Sequence, residues 1–146
     1  MKRLLFIPIV FVLTFFSLSI HSQSTFTGDN TGATIDGFGT VESTANTANN
    51  SNLSGTIGTD YVIDSVKIDI DHFNAGDLEI KLKSPVGTQL DLSVGNGSGG
   101  QNYTNTVFKD GGADITFASA PFTGIFEPQG GTFASTFDGE FVSGDW

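Results

Sequence analysis

Residues 66–94 read VKIDIDHFNAGDLEIKLKSPVGTQLDLSV, and this stretch decides the fold class. Val66, Ile68 and Ile70 alternate with Lys67, Asp69 and Asp71. Leu78, Ile80 and Leu82 alternate with Glu79, Lys81 and Lys83, and Leu90, Leu92 and Val94 alternate with Gln89, Asp91 and Ser93. A period of two gives each strand one buried and one wet face, the pattern of antiparallel strands in a sandwich. Phe73-Asn74-Ala75-Gly76 and Ser84-Pro85-Val86-Gly87 separate the runs, and both are short and rich in turn formers. The stretch therefore predicts a three-stranded antiparallel meander closed by two hairpins.

Toward the C-terminus the pattern changes. Residues 95–102 are mostly glycine, asparagine and serine, which permit positive φ. Beyond them the apolar content is aromatic, with Phe108, Phe117, Phe122, Phe126, Phe133, Phe137 and Phe141 spaced by glycine, proline and threonine. No helical period runs through this part. Such spacing predicts short strands and irregular loops that pin phenylalanines between two sheets. A platform of phenylalanines for a ligand is the competing reading, and a core is the commoner use of such residues.

Toward the N-terminus, Lys2 and Arg3 precede an apolar run from Leu4 to Ile20 and then small and polar residues. That order marks residues 1–23 as a secretory signal peptide and predicts a secreted or cell-surface protein. Residues 24–50 hold few large apolar groups and read as a low-complexity linker or, around Thr34 to Val41, a weak first strand. Residues 51–146 make up the domain. Removing Lys2 and Arg3 from the 6 basic residues leaves 4 against 16 acidic ones, a mature charge of −12. A surface so acidic disfavours nucleic acid, whose phosphates need cationic partners. With no cysteine in the chain, disulfide staples and thiol chemistry are excluded. Past the leader the one histidine is His72, so a mechanism needing two is excluded as well.

Several spaced blocks resemble one family. His72-Phe73-Asn74-Ala75-Gly76-Asp77-Leu78 continuing to Ser84-Pro85-Val86-Gly87-Thr88 resembles the signature of the P (Homo B) domain of subtilisin/kexin-like proprotein convertases. Gly100-Gln101-Asn102-Tyr103 through Asp110, then Ala120-Pro121-Phe122 through Pro128, resembles its secreted bacterial members. Phe137-Asp138-Gly139-Glu140 through Gly144-Asp145-Trp146 resembles the opening of a later strand. The resemblance implies an all-β, jelly-roll-like antiparallel sandwich that performs no chemistry of its own. It implies structural roles for His72, Gly76, Asp77, Pro85, Gly87 and Trp146. The implied partner is a protease or other exported module in the same or a neighbouring chain, with no nucleic acid and no membrane after signal cleavage. Serine endopeptidase activity would then belong to that neighbour. Resembling domains continue past this tryptophan as Trp-x-Leu-x-Val, so the expectation is a sandwich incomplete at its C-terminus, with Trp146 weakly held.

The residues themselves support the absence of catalysis. His72 shares the parity of Val66, Ile68 and Ile70 and is expected to face the interior or its rim, as a structural group. No Gly-x-Ser-x-Gly elbow accompanies it. Calcium is the one ion with candidate ligands, Asp77, Asn102 and Asp110, because it takes six to eight oxygens from carboxylates, amides and carbonyls. Asp77 alone also fits a turn cap. In the resembling bacterial pattern acids stand where this chain has Gln101 and Lys109, which implies weak calcium binding and no required cofactor. A stand-alone extracellular binding or adhesion module, with glycans as ligands, is the alternative function.

Overall fold

The computed structural model describes residues 23–28, 39–48 and 53–146. Almost all of residues 1–23, read from the sequence as a signal peptide, and most of the weak strand considered at Thr34 to Val41 lie outside the described residues. Among the described residues five strands form two sheets: β1 (Val66–Ile70), β2 (Glu79–Lys83), β3 (Gln89–Val94), β4 (Tyr103–Asp114) and β5 (Phe122–Glu127). One sheet has the order β1-β4-β5 and the other pairs β2 with β3. One short helix, α1 (Phe133–Phe137), follows. The fold is an all-β sandwich, as the alternation predicts.

The alternating strands bury the faces expected of them. In β1 Lys67 and Asp69 are exposed while Val66, Ile68 and Ile70 pack inward, and β2 repeats the pattern with Ile80 and Leu82. The Ser84–Thr88 turn closes a true β2–β3 hairpin. Gly87 takes φ +96°, which suits a residue without Cβ, and its amide donates to Ser84 O.

The meander is corrected. β1 does not neighbour β2; it pairs antiparallel with β4, Val66 opposite Phe108 and Ile70 opposite Tyr103. Residues 71–78 cross from one sheet to the other instead of closing a hairpin. Ala75 is buried and donates its amide to Gly100 O at 2.7 Å, which holds the crossing against the glycine-rich loop. Alternation fixes which face of a strand is buried and leaves its neighbour to long-range contacts.

Two further departures come from bulges. Between Ile80 and Lys81 the β2–β3 register shifts, so that Ile80 faces Ser93 and Lys81 faces Asp91. An extra residue re-aims the chain, and Ser93, expected on the wet face, is buried beside Leu92. β4 and β5 run parallel, whereas an antiparallel sandwich was expected. In that pair both Phe108 and Ala113 align with Phe126, so Lys109 to Gly112 loop out of β4. Gly112 sits against the Phe126 and Glu127 backbone, where any Cβ would collide.

Between the sheets lie Leu90, Leu92, Tyr103, Phe108, Ile115, Phe122, Phe126, Phe133 and Phe137, all buried. Tyr103 and Phe122 rings stand 4.8 Å apart, and Phe122 meets Phe126 edge-on at 6.1 Å. Phe117 and Phe141, read from the sequence as core, are 90% and 65% exposed. Spacing alone does not tell a phenylalanine on a strand from one at the end of a turn.

The outer flank is closed by segments far apart in sequence. Thr56 bridges Phe141, and Asn46 bridges Asp145. Ala45 and Trp146 exchange both backbone hydrogen bonds, at 2.8 and 3.1 Å. Thr47, inside the stretch read as a linker, is buried, and its hydroxyl donates to Val142 O at 2.7 Å.

Candidate functional site

The family-like residues gather where the 71–78 crossing meets the loop before β4. His72 and Asn102 are doubly tied: the His72 amide donates to Asn102 Oδ1 at 2.9 Å, and the Asn102 amide donates to His72 O at 3.2 Å. Asn102 has φ +69°, a left-handed geometry that asparagine tolerates better than most residues. The His72 ring nitrogen Nδ1 lies 2.8 Å from Asn74 O and 3.3 Å from the Asn74 amide. His72 is half-buried and braces its own turn.

Asn74 organises this turn, and sequence reasoning missed it. Its Oδ1 accepts from the Gly76 amide at 3.2 Å and from the Gly99 amide at 3.0 Å, joining the crossing to the glycine loop. Asp77, considered as a cap, is exposed, and the cap of the 75–77 turn is Asn74. The signal was an asparagine two residues before a glycine, the spacing of an Asx turn. Gly76 is needed for space: a Cβ there would stand 3.1 Å from the Ser98 amide nitrogen. Pro85 packs against Gly144, where an added Cβ would come within 2.5 Å of the proline ring.

Asp110 is elsewhere. It sits in the looped-out part of β4 and accepts from the first amides of α1, Phe133 at 2.8 Å and Ala134 at 3.3 Å. Lys109 in the same loop pairs with Asp64 at 2.6 Å, which holds the Asp64 carboxyl below its ordinary range. The structure thus brings Asn102 and the Asp77 turn toward one end of β4 and Asp110 toward the other. At about 3.3 Å per strand residue that separation is on the order of 20 Å. Among the described residues no three His, Asp or Glu side chains form a group suited to a metal ion.

An open cleft of about 310 Å³ lies near the end of β5, lined by Asp114, Thr116, Glu127 and Thr132 among others. Asp114 and Glu127 are register partners across the parallel pair. Hydrogen bonds from the Thr116 hydroxyl and amide hold the Asp114 carboxyl below its usual value. Two carboxylates at the mouth repel anions. Tyr103, by contrast, reaches across the core: its hydroxyl meets Ser93 Oγ at 2.8 Å and links the two sheets. Burial raises the phenol's pKa, and the Ser93 bond partly offsets that.

The geometry is that of a braced sandwich whose named residues hold loops in place. A family model, that of the proprotein convertase P-domain, matches residues 64–146, more than half of the chain. The chain belongs to the proprotein convertase P-domain family. No curated protein and no solved structure matches it. The matched range begins just before β1 and takes in both sheets, so the P-domain and the sandwich are the same object. His72, Gly76, Pro85, Gly87 and Trp146 all fall within this P-domain. Trp146 is held more firmly than the sequence suggested: its indole N–H donates to Val142 O at 2.9 Å and its ring meets Phe137 edge-on at 5.2 Å. P-domains are non-catalytic and accompany a protease domain.

Proposed function

We propose that this P-domain is an accessory module of an exported protein, packing beside a subtilisin-like serine endopeptidase domain and stabilising it without chemistry of its own. The match over residues 64–146 carries the reading. The lack of a Gly-x-Ser-x-Gly elbow beside His72 supports it, since a catalytic histidine of an acyl-transfer triad needs a nucleophile to activate. Export is supported by Lys2, Arg3 and the apolar run from Leu4 to Ile20. Among the described residues no helix is long and apolar enough to cross a membrane. The test is to express the endopeptidase domain of the same or a neighbouring chain with and without this module. A longer half-life of activity with the module present is expected. An unchanged half-life, with no complex between the two, would refute it.

One observation favours a second reading, a stand-alone binding module: Phe73 and Phe117 are 83% and 90% exposed. Exposed aromatic faces suit stacking on sugar rings, so glycan binding lost in Phe73→Ala and Phe117→Ala would favour that function. Calcium, in either reading, is proposed as no more than a weak stabiliser. Asp110 is committed to α1 and stands far from Asn102.

A further inference from the structure

The segment after β5 is fastened to β3 by two backbone bonds, one of them from the Gly130 amide to Asp91 O at 2.9 Å, and by the Gln129 side chain. Gln129 Oε1 accepts from the Val94 amide at 2.9 Å and from Asn96 Nδ2 at 2.9 Å, and the Gln129 amide donates to Leu92 O at 3.2 Å. Asn96 Nδ2 also donates to Ser93 Oγ at 2.8 Å, which continues to the Tyr103 hydroxyl. Asn96 is followed by Gly97, whose φ is +103° and whose amide donates no hydrogen bond among the described residues. A glycine amide nitrogen has no neighbouring Cβ to shield it, so it can approach the carbonyl carbon of a preceding asparagine side chain more readily than any other.

We propose that Asn96 is a site of spontaneous deamidation whose rate is gated by the Gln129 clasp. The Gly97 backbone nitrogen attacks Asn96 Cγ. The new N–Cγ bond closes a five-membered imide, the Cγ–Nδ2 bond breaks, and the proton lost by the backbone nitrogen leaves with the amine as ammonia. Water then adds to one of the two imide carbonyls and opens the ring, giving either aspartate or an isoaspartyl link at position 96. While Nδ2 is held between Ser93 and Gln129, turning the carboxamide onto Gly97 means leaving both acceptors.

The product cannot restore the clasp. An acid at position 96 has no donor for Gln129 Oε1. Rotating the Gln129 amide to offer its NH₂ would withdraw its oxygen from the Val94 amide. The isoaspartyl form also lengthens the main chain in a crowded turn, where a Cβ on Gly97 would lie 3.0 Å from the Phe122 ring. Loss of the Asn96 arm of the clasp thereby becomes a one-way step, while the Val94, Leu92 and Asp91 bonds of the segment stay in place.

Peptide mapping by mass spectrometry of the full chain, incubated at mildly alkaline pH, reads the reaction at Asn96, with Asn102 and Asn105 as internal controls. The native chain is expected to react slowest, Gln129→Ala faster by about tenfold, the worth of roughly one net hydrogen bond, and the urea-unfolded chain fastest. Equal rates at Asn96 in the native and unfolded chains would overturn the gate whether or not the variant folds. So would a folded Gln129→Ala protein reacting no faster than the native one.

Discussion

The stretch from Val66 to Val94 and the stretch from Tyr103 to Phe137 build one core by different means. In the first, polar and apolar residues alternate, and many inward side chains, such as Val66, Ile68 and Ile80, are only partly buried. In the second, alternation is broken by bulges, turns and a parallel pairing, yet Tyr103, Phe108, Phe122, Phe133 and Phe137 are nearly or fully enclosed. The regular half supplies faces and the irregular half supplies most of the buried volume. Local order and energetic weight are therefore carried by different segments.

The largest effect that could break this comparison is in the aromatic half. Phe122→Ala removes a fully buried ring packed against Tyr103 and Phe126 and is expected to cost about 3–5 kcal/mol in denaturant unfolding. Phe117→Ala, a change of the same chemistry at an exposed site, is expected to stay within about 0.5 kcal/mol. Similar costs for the two would mean that burial does not separate them.

Next in size is the 71–78 crossing between the two sheets. His72→Ala removes the brace on the Asn74 turn and should cost about 1–3 kcal/mol, with no peptide hydrolysis lost because none is expected. Hydrolysis by the purified chain that vanished in this variant would end the accessory reading. Asp110→Ala sharpens the contrast within β4. Loss of the carboxylate at the start of α1 should lower stability by about 1 kcal/mol, the worth of a helix cap, equally with calcium and with chelator. A loss seen only with calcium would reinstate Asp110 as a ligand.

The smallest effect is a slope. Burial raises the Tyr103 pKa above the ordinary 10.0, so the neutral phenol favours the folded state. That contribution is complete below pH 10.0 and disappears as pH rises through the raised folded value. Stability should therefore fall as pH climbs from 10.0 through the raised value, and Tyr103→Phe should flatten the fall. Identical alkaline profiles for the two proteins would show that the phenol is not buried as described.

Much of this was legible in the sequence, and the gaps have physical causes. Strand β2, the 84–88 turn, strand β3 and the inward faces follow from side-chain period and turn chemistry, which are local. The partner of β1 does not, because it depends on Ala75 and Gly100 meeting across the fold. Strict alternation places Ser93 on the wet face because a bulge is invisible to it, and its partner Tyr103 is ten residues away. Among the site residues, His72, Gly76 and Gly87 were named, and Asn74, the side chain that ties the turn to the glycine loop, was not. Asp110 carried a signal, a carboxylate beside glycines, that served a helix end as well as a cation.

Trp146 is the sole tryptophan of the chain; its indole bonds Val142 O and meets the Phe137 ring, and its backbone pairs with Ala45. The protein thus carries a single optical probe, placed on the flank and not among the central rings. Its emission should register the parting of residues 45 and 146, whereas far-ultraviolet circular dichroism weighs all five strands. If the flank peels away before the sheets separate, the fluorescence midpoint will come first, and the gap between the two midpoints will measure how independently that edge behaves.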